Sequence, residues 1–173
     1  QNNPNMNEDI NTVNEQGDRV GCIGKVEAHE KGLLHEAFSI LIFNSKAELL
    51  LQKRAVHKYH SGGLWTNTCC GHPRFKEDLT MGAKRRLFEE MGIFCDIREI
   101  FSFIYKVELP NKLIEHEFDH VFVGFYDNEP KINPEEAEGY KWIDINVFLK
   151  DIKEHPEYYT YWLKEIVKYQ DFL

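Results

Sequence analysis

The chain has 173 residues, 42% hydrophobic and 29% charged, with a formal net charge of −8. That length suits one domain with a proper core, and the acidic balance excludes a nucleic-acid surface, which needs a basic footprint. No apolar run reaches the roughly 18 residues that span a bilayer, and the polar N-terminus lacks the apolar core of an export signal, so a cytoplasmic protein without membrane contact is expected.

Residues 1–16 read as a polar, loosely ordered leader, with Gln1–Asn5 ahead of Met6, and residues 17–173 as a single domain. Glu36–Phe43 and Glu48–Lys53 are two strand-like runs joined by Asn44–Ala47, the pattern of a hairpin. His60–Pro73 is rich in Gly, Cys and His and reads as a loop. Over Glu77–Met91, Leu79, Ala83, Leu87 and Met91 recur every four residues, which predicts a helix with one apolar stripe, stopped by Gly92. Ile97–Val107, Ile114–Tyr126 and the shorter Tyr140–Asp144 read as strands; Val147–Glu154 and Pro156–Tyr169 read as helices. This order predicts an α/β layered domain, a mixed β-sheet between helices. The cysteines, Cys22, Cys69, Cys70 and Cys95, have no disulfide-framework spacing, so free thiols in a reducing compartment are expected.

Gly71, Glu77, Arg85, Leu87, Glu89, Glu90, Gly92 and Ile93 stand at the fixed positions of a motif: Gly, five residues, Glu, seven residues, then Arg-Glu-apolar-x-Glu-Glu-x-Gly-apolar. The segment resembles the Nudix box, with one departure: Arg86 stands where Nudix hydrolases have the first Glu of the cluster. A guanidinium there removes a hard oxygen ligand for Mg²⁺ and adds a positive charge, which suits phosphate recognition. Alternatively, Arg86, Glu89 and Glu90 are a solvated helix face of paired charges.

Two further segments concentrate chemistry. Glu115 and Glu117 are two apart on a predicted strand, so both carboxylates leave from one face. Cys70 and His72 are likewise two apart, and His29 and His35 lie in polar-flanked segments. Three imidazoles and two carboxylates suit a divalent ion such as Mn²⁺, Mg²⁺ or Zn²⁺. Trp65–Pro73 (WTNTCCGHP) and Ile114–Phe118 (IEHEF) resemble the two signatures of the type I isopentenyl-diphosphate isomerases, relatives on the Nudix fold. The likeness runs from about Gly17 to Lys164 and takes in Lys25–His29, Leu34–Ser39 and Arg54–Lys58.

That resemblance implies conversion of isopentenyl diphosphate to dimethylallyl diphosphate in isoprenoid biosynthesis, by a monomer whose partner is a small diphosphate. It implies Cys70 and Glu117 as the acid/base pair, Tyr105 assisting and Trp162 facing the carbocation. His29, His35, His72, Glu115 and Glu117 would bind the divalent metal, Mg²⁺ or Mn²⁺ with Zn²⁺ as an alternative, and Glu90 would help hold a second Mg²⁺. Lys25, Arg54, Lys58 and Arg86 would hold the diphosphate. His57, His60, His116, His120 and His155 are left as ordinary structural or surface histidines. Three other readings remain: a Nudix-type diphosphate hydrolase, a non-catalytic diphosphate- or metal-binding module, and half of a structural zinc site at Cys69, Cys70 and His72.

Overall fold

A computed structural model describes residues 8–169 and 171. At its centre lies β3 (His35–Phe43), buried along all nine residues, as an apolar run must be when both faces are covered. On one side β3 pairs in parallel with β8 (Ile114–Phe125), from His35 opposite Glu117 to Phe43 opposite Phe125. β7 (Ile97–Glu108) continues beyond β8 as its antiparallel hairpin partner, with Tyr105 opposite Glu117. His35, Glu117 and Tyr105 therefore sit in register across three adjacent strands.

The expected hairpin of β3 and β4 (Glu48–Arg54) exists only at its base, where Phe43 opposes Leu49. Beyond that pair the strands part, and Thr68 bridges the opening: Ile42 N–H donates to its hydroxyl at 2.9 Å, and the hydroxyl donates to the Leu50 carbonyl at 2.7 Å. The segment expected to be a loop is thus partly strand. β5 (Trp65–Thr66) pairs with β4, and β6 (Cys69–Gly71) pairs with Phe38–Ile40 of β3. β9 (Ala137–Asp144) covers the far edge of β4 and is longer than the Tyr140–Asp144 expected.

Helices lie on both faces of the sheet. Against one face α2 (Leu79–Met91) packs Ala83, Leu87 and Met91 onto Phe38, Ile40, Ile42, Leu50 and Phe122. Its apolar stripe matches the expected one, but Asp78 caps it by accepting from Met81 N–H at 3.0 Å, so it begins after Glu77. It ends at Gly92, whose φ of 65° needs a residue without a Cβ. Truncating Leu87 to Ala would cost about 2–5 kcal/mol through the cavity left behind. On the other face, α3 (Ile145–Glu154) and α4 (Tyr161–Val167) pack Phe148, Ile152, Trp162, Leu163 and Ile166 onto Leu41, Leu49, Leu51, Phe103 and Val121.

Two expectations are corrected here, and one unexpected helix is added. Residues 1–7 of the expected leader lie outside the described residues, but Asp9–Val13 form β1, which turns back into β2 (Arg19–Gly24) and touches β3. Burial of Ile10 and Val13 gives that polar segment an inner face. The predicted last helix is broken: Pro156–Tyr158 form one 3-10 turn, and Tyr159 and Thr160 are extended. Tyr159 is buried with its hydroxyl on Asp151, and Thr160 N–H donates to the Trp65 carbonyl at 3.0 Å. This break puts Trp162 in the first turn of α4. Finally, α1 (Lys25–Lys31) carries no signal strong enough to predict it. Among the described residues no helix is long and apolar enough to cross a membrane.

Candidate metal and acid/base site

The strand period puts Glu115 and Glu117 on the same face of β8, both buried. Glu117 Oε2 lies 2.9 Å from His72 Nε2 and 3.4 Å from His35 Nε2, and Glu115 Oε1 lies 3.9 Å from His29 Nε2. The Tyr105 hydroxyl donates to Glu117 and stands 3.4 Å from Glu115 Oε2. Burial and the repulsion of Glu117 raise the Glu115 pKa to about 8. Two carboxylates are thus forced together out of water, which is costly unless a cation joins them.

The imidazoles point to that cation. His29 donates Nδ1–H to the Lys25 carbonyl at 2.8 Å, and His35 donates Nδ1–H to the Leu33 carbonyl at 2.8 Å. Each main-chain acceptor fixes the tautomer and leaves an Nε2 lone pair facing the carboxylates, the arrangement usual for a metal-ligating histidine. Both Nε2 atoms are buried without a hydrogen-bond partner. The ligand atoms of His29, His35 and His72 lie within 4.8 Å of one another. This chemistry fits a divalent ion.

β6 decides between the two adjacent cysteines. Cys69 turns toward α2 and lies 3.6 Å from Glu90, whereas Cys70 turns to the opposite face and into the cleft. Opposed thiols cannot form half of a zinc site, which removes that reading. Burial pushes the Cys70 thiol up to about 12, with Arg54 acting against the shift. Arg54 Nη1 contacts Cys70 Sγ at 3.7 Å, its guanidinium lies 5.2 Å from the Trp162 ring centre, and its Nε is a buried donor without a hydrogen-bond partner. The indole N–H of Trp162 donates to Asn67 Oδ1 at 3.1 Å, fixing the ring at the cleft wall.

The cleft beside the cluster is a small cavity of about 70 Å³. Lys25, Arg54, Lys58 and Arg86 all line it. Burial, then the neighbouring Lys58, Arg86 and Arg54, lower the Lys25 pKa to about 8. Lys58 is held by Glu136, and Arg86 is ringed by three carboxylates, Glu89 at 2.6 Å, Glu90 at 2.9 Å and Glu136 at 3.2 Å. Arg86 is therefore no part of a solvated face: its guanidinium neutralises the acidic end of α2 from within.

Glu90 does not join the His/Glu cluster. It is buried, with one oxygen accepting from Gln52 at 3.1 Å and the other from Arg86 at 2.9 Å. His60, set aside as ordinary in the sequence, does join: its Nε2 lies 2.9 Å from Glu115 Oε1, and its ring stands edge-on to Trp162 at 5.8 Å. Burial and Arg54 lower its pKa to about 3. The one sequence signal for it was a His between the basic Lys58 and a Gly pair, which is weak. His57, His116, His120 and His155 meet Glu135, Gly32, Glu99 and Tyr158, away from the cluster.

Comparison with known proteins gives the following. Residues 33–163 match the NUDIX domain. "Isopentenyl-diphosphate Delta-isomerase 2" of Photorhabdus laumondii is 50% identical over 169 residues, 96% of each chain. A protein of the same name from Aromatoleum aromaticum is 49% identical over 158 residues, 91% of this chain and 84% of that one. A crystal structure of a Deinococcus radiodurans protein superposes with a TM-score of 0.69 at 20% identity, over 85% of this chain and 90% of that one. A MutT protein of Methanosarcina mazei superposes at 0.59 and 24% identity, over 68% and 81%.

Proposed function

The chain belongs to the isopentenyl-diphosphate Delta-isomerases of the Nudix family, and we infer that it converts isopentenyl diphosphate to dimethylallyl diphosphate. The observation that carries this reading is the convergence, on one cleft, of a His/Glu cluster with two orphaned Nε2 atoms, the Cys70 thiol and four basic side chains. A hydrolase needs no thiol facing an apolar wall, and a binding module needs no paired acid and base.

The reaction delivers one proton to the terminal methylene carbon and takes a different one from the neighbouring CH₂. The positive charge between those steps rests on a tertiary carbon. Cys70 and Glu117 form the acid/base pair, and the Tyr105 hydroxyl holds Glu117 by donating to it. The Trp162 ring faces the developing cation, a contact worth up to about 2 kcal/mol in a dry site. Burial of the cleft wall limits water capture of the cation. Lys25, Arg54 and Lys58 receive the diphosphate, and Arg86 adds charge from behind its carboxylates. His29, His35, His72, Glu115 and Glu117 would hold Mg²⁺ or Mn²⁺, with Zn²⁺ as the alternative; the bound ion supplies charge that sets the proton affinity of Glu117. Glu90 would help hold a second Mg²⁺ through a lone pair that Gln52 and Arg86 leave free. A monomer in the cytoplasm is the proposed setting, in keeping with four free cysteines.

With isopentenyl diphosphate and Mg²⁺ or Mn²⁺, the expected product is dimethylallyl diphosphate without released phosphate. Chelation should abolish turnover and lower the melting temperature, since an ion at 100 times its Kd stabilises by about 2.7 kcal/mol. Phosphate without isomer would instead establish a hydrolase, and neither product with intact metal binding a binding module.

The lowered pKa of Lys25 gives a pH dependence. Its ammonium is charged at pH 7 and is lost as pH rises through about 8. Because the diphosphate needs that charge, kcat/KM is expected to fall above about pH 8, through KM rather than kcat. Lys25→Arg stays charged and should move that limb to higher pH; an unmoved limb would assign it to another group.

A further inference from the structure

We propose that His60 is a positioning residue for the metal site, holding Glu115 through its Nε2–H so that the carboxylate presents its remaining lone pairs to the ion. This rests on the reading of the cluster as a divalent-metal site.

Three observations separate His60 from the other imidazoles. The first is the partner of Nδ1. His29 and His35 place Nδ1 on main-chain carbonyls, which can only accept, so their Nε2 atoms are free for a metal. His60 places Nδ1 3.2 Å from the Ser61 hydroxyl, which can donate. Once Ser61 donates, the ring proton belongs on Nε2, 2.9 Å from Glu115 Oε1. A metal-holding carboxylate is purely an acceptor, so the Nε2–H tautomer suits the 2.9 Å approach of His60 to Glu115.

The second observation is place. The Nε2 side of His60 groups with His29 and Glu115, a set whose ligand atoms lie within 4.8 Å of one another and which shares only His29 with the triad of His29, His35 and His72. It approaches the cluster from the Glu115 side and abuts Trp162, so one ring ties a metal carboxylate to the wall facing the reacting carbons.

The third is that the loop is built to hold the ring there. Arg54 N–H donates to the Leu64 carbonyl at 2.9 Å and Gly63 N–H to the Arg54 carbonyl at 2.8 Å, closing the loop at its neck. Arg54 Nη2 donates to the His60 carbonyl at 3.0 Å. Ser61 takes a left-handed φ of 54°, and a Cβ on Gly62 would meet the Val56 carbonyl at 2.4 Å. A left-handed non-glycine residue persists only where its surroundings impose it.

The test measures Mn²⁺ binding by the resonance of free Mn²⁺, together with nitrogen couplings to bound Mn²⁺ and steady-state kinetics. His60→Ala is expected to weaken Mn²⁺ about 10- to 100-fold, the usual effect of removing an outer partner of a ligand, while bound Mn²⁺ keeps three imidazole couplings. His60→Gln, which retains a donor, should recover most of the affinity, and Ser61→Ala should weaken it by less than His60→Ala. At saturating Mn²⁺ the loss should appear in kcat more than in KM. Unchanged affinity in folded His60→Ala would overturn the proposal. So would four imidazole couplings in the native protein falling to three in the variant, because His60 would then be a ligand. Failure of the native protein itself to bind Mn²⁺ would overturn the metal reading as well.

Discussion

Cys70→Ala is expected to reduce isomerisation by at least about 10³-fold, the scale of a lost general acid or base, with the fold and metal binding intact. The thiol is the one protonatable group that β6 turns into the cleft, beside Arg54 and on the same side as Trp162 and Glu117. The main-chain pairing of β6 with β3 runs through Ser39 opposite Cys70 and does not need the side chain. Cys70 is only half-buried, so the stability cost should stay within about 1 kcal/mol. Cys69→Ala is the control. Cys69 is fully buried against α2, so its loss should cost stability through a small cavity while turnover per folded molecule is largely kept. Near-native turnover in Cys70→Ala, or an equal loss in folded Cys69→Ala, would remove the thiol from the mechanism.

Why strand alternation had to supply that distinction shows where the sequence runs out. Cys69 and Cys70 are chemically identical in sequence, and only the family likeness favoured the second. That three-residue β6 is a strand depends on Phe38, Ser39 and Ile40, thirty residues earlier, a pairing that no local pattern encodes. The long elements were legible because burial imposes a pattern: β3 is buried on both faces, β8 alternates buried with half-buried residues, and α2 carries its stripe every four residues. Helix α1 was not, since Lys25–Lys31 is two turns with only Val26 and Ala28 apolar. Its existence nevertheless matters most for the site. One turn of it delivers both Lys25 to the cleft and the Lys25 carbonyl to His29. The Glu115/Glu117 pair was readable from a spacing of two. That His35 would face Glu117 was not, because a parallel register between strands eighty residues apart is a tertiary fact. His60 fell through for a related reason. A histidine in a Gly-rich loop is usually unremarkable, and only the closed neck of that loop brings its ring to Glu115.

Glu117→Gln is expected to have the largest effect of all, because two demands meet on one carboxylate. It lies against His72 and His35 at 2.9 and 3.4 Å, and it accepts from the Tyr105 hydroxyl. An amide there removes a negative charge from the ligand set and cannot exchange a proton. Loss of the proton-transfer role alone accounts for about 10²- to 10⁴-fold, and weakened metal binding adds to it, so turnover should be undetectable. Stability of the metal-free protein should change far less, because two effects oppose each other. Glu115 is held up at about 8 by burial and by the charge of Glu117. Without that neighbour its pKa should fall, although burial, the larger cause, still holds it up. Against that relief, Glu117 overcomes its own burial through His35 and His72, which hold its carboxyl well below the usual carboxylate range, and the amide gives up that stabilisation. The metal-free variant is therefore expected to melt close to the native metal-free protein, and Mn²⁺ should no longer raise its melting temperature. Loss of function with little change in stability marks a site whose charges are assembled for a ligand rather than for the fold. A variant that melts much lower without metal, yet still isomerises, would show that Glu117 serves the core and not the reaction.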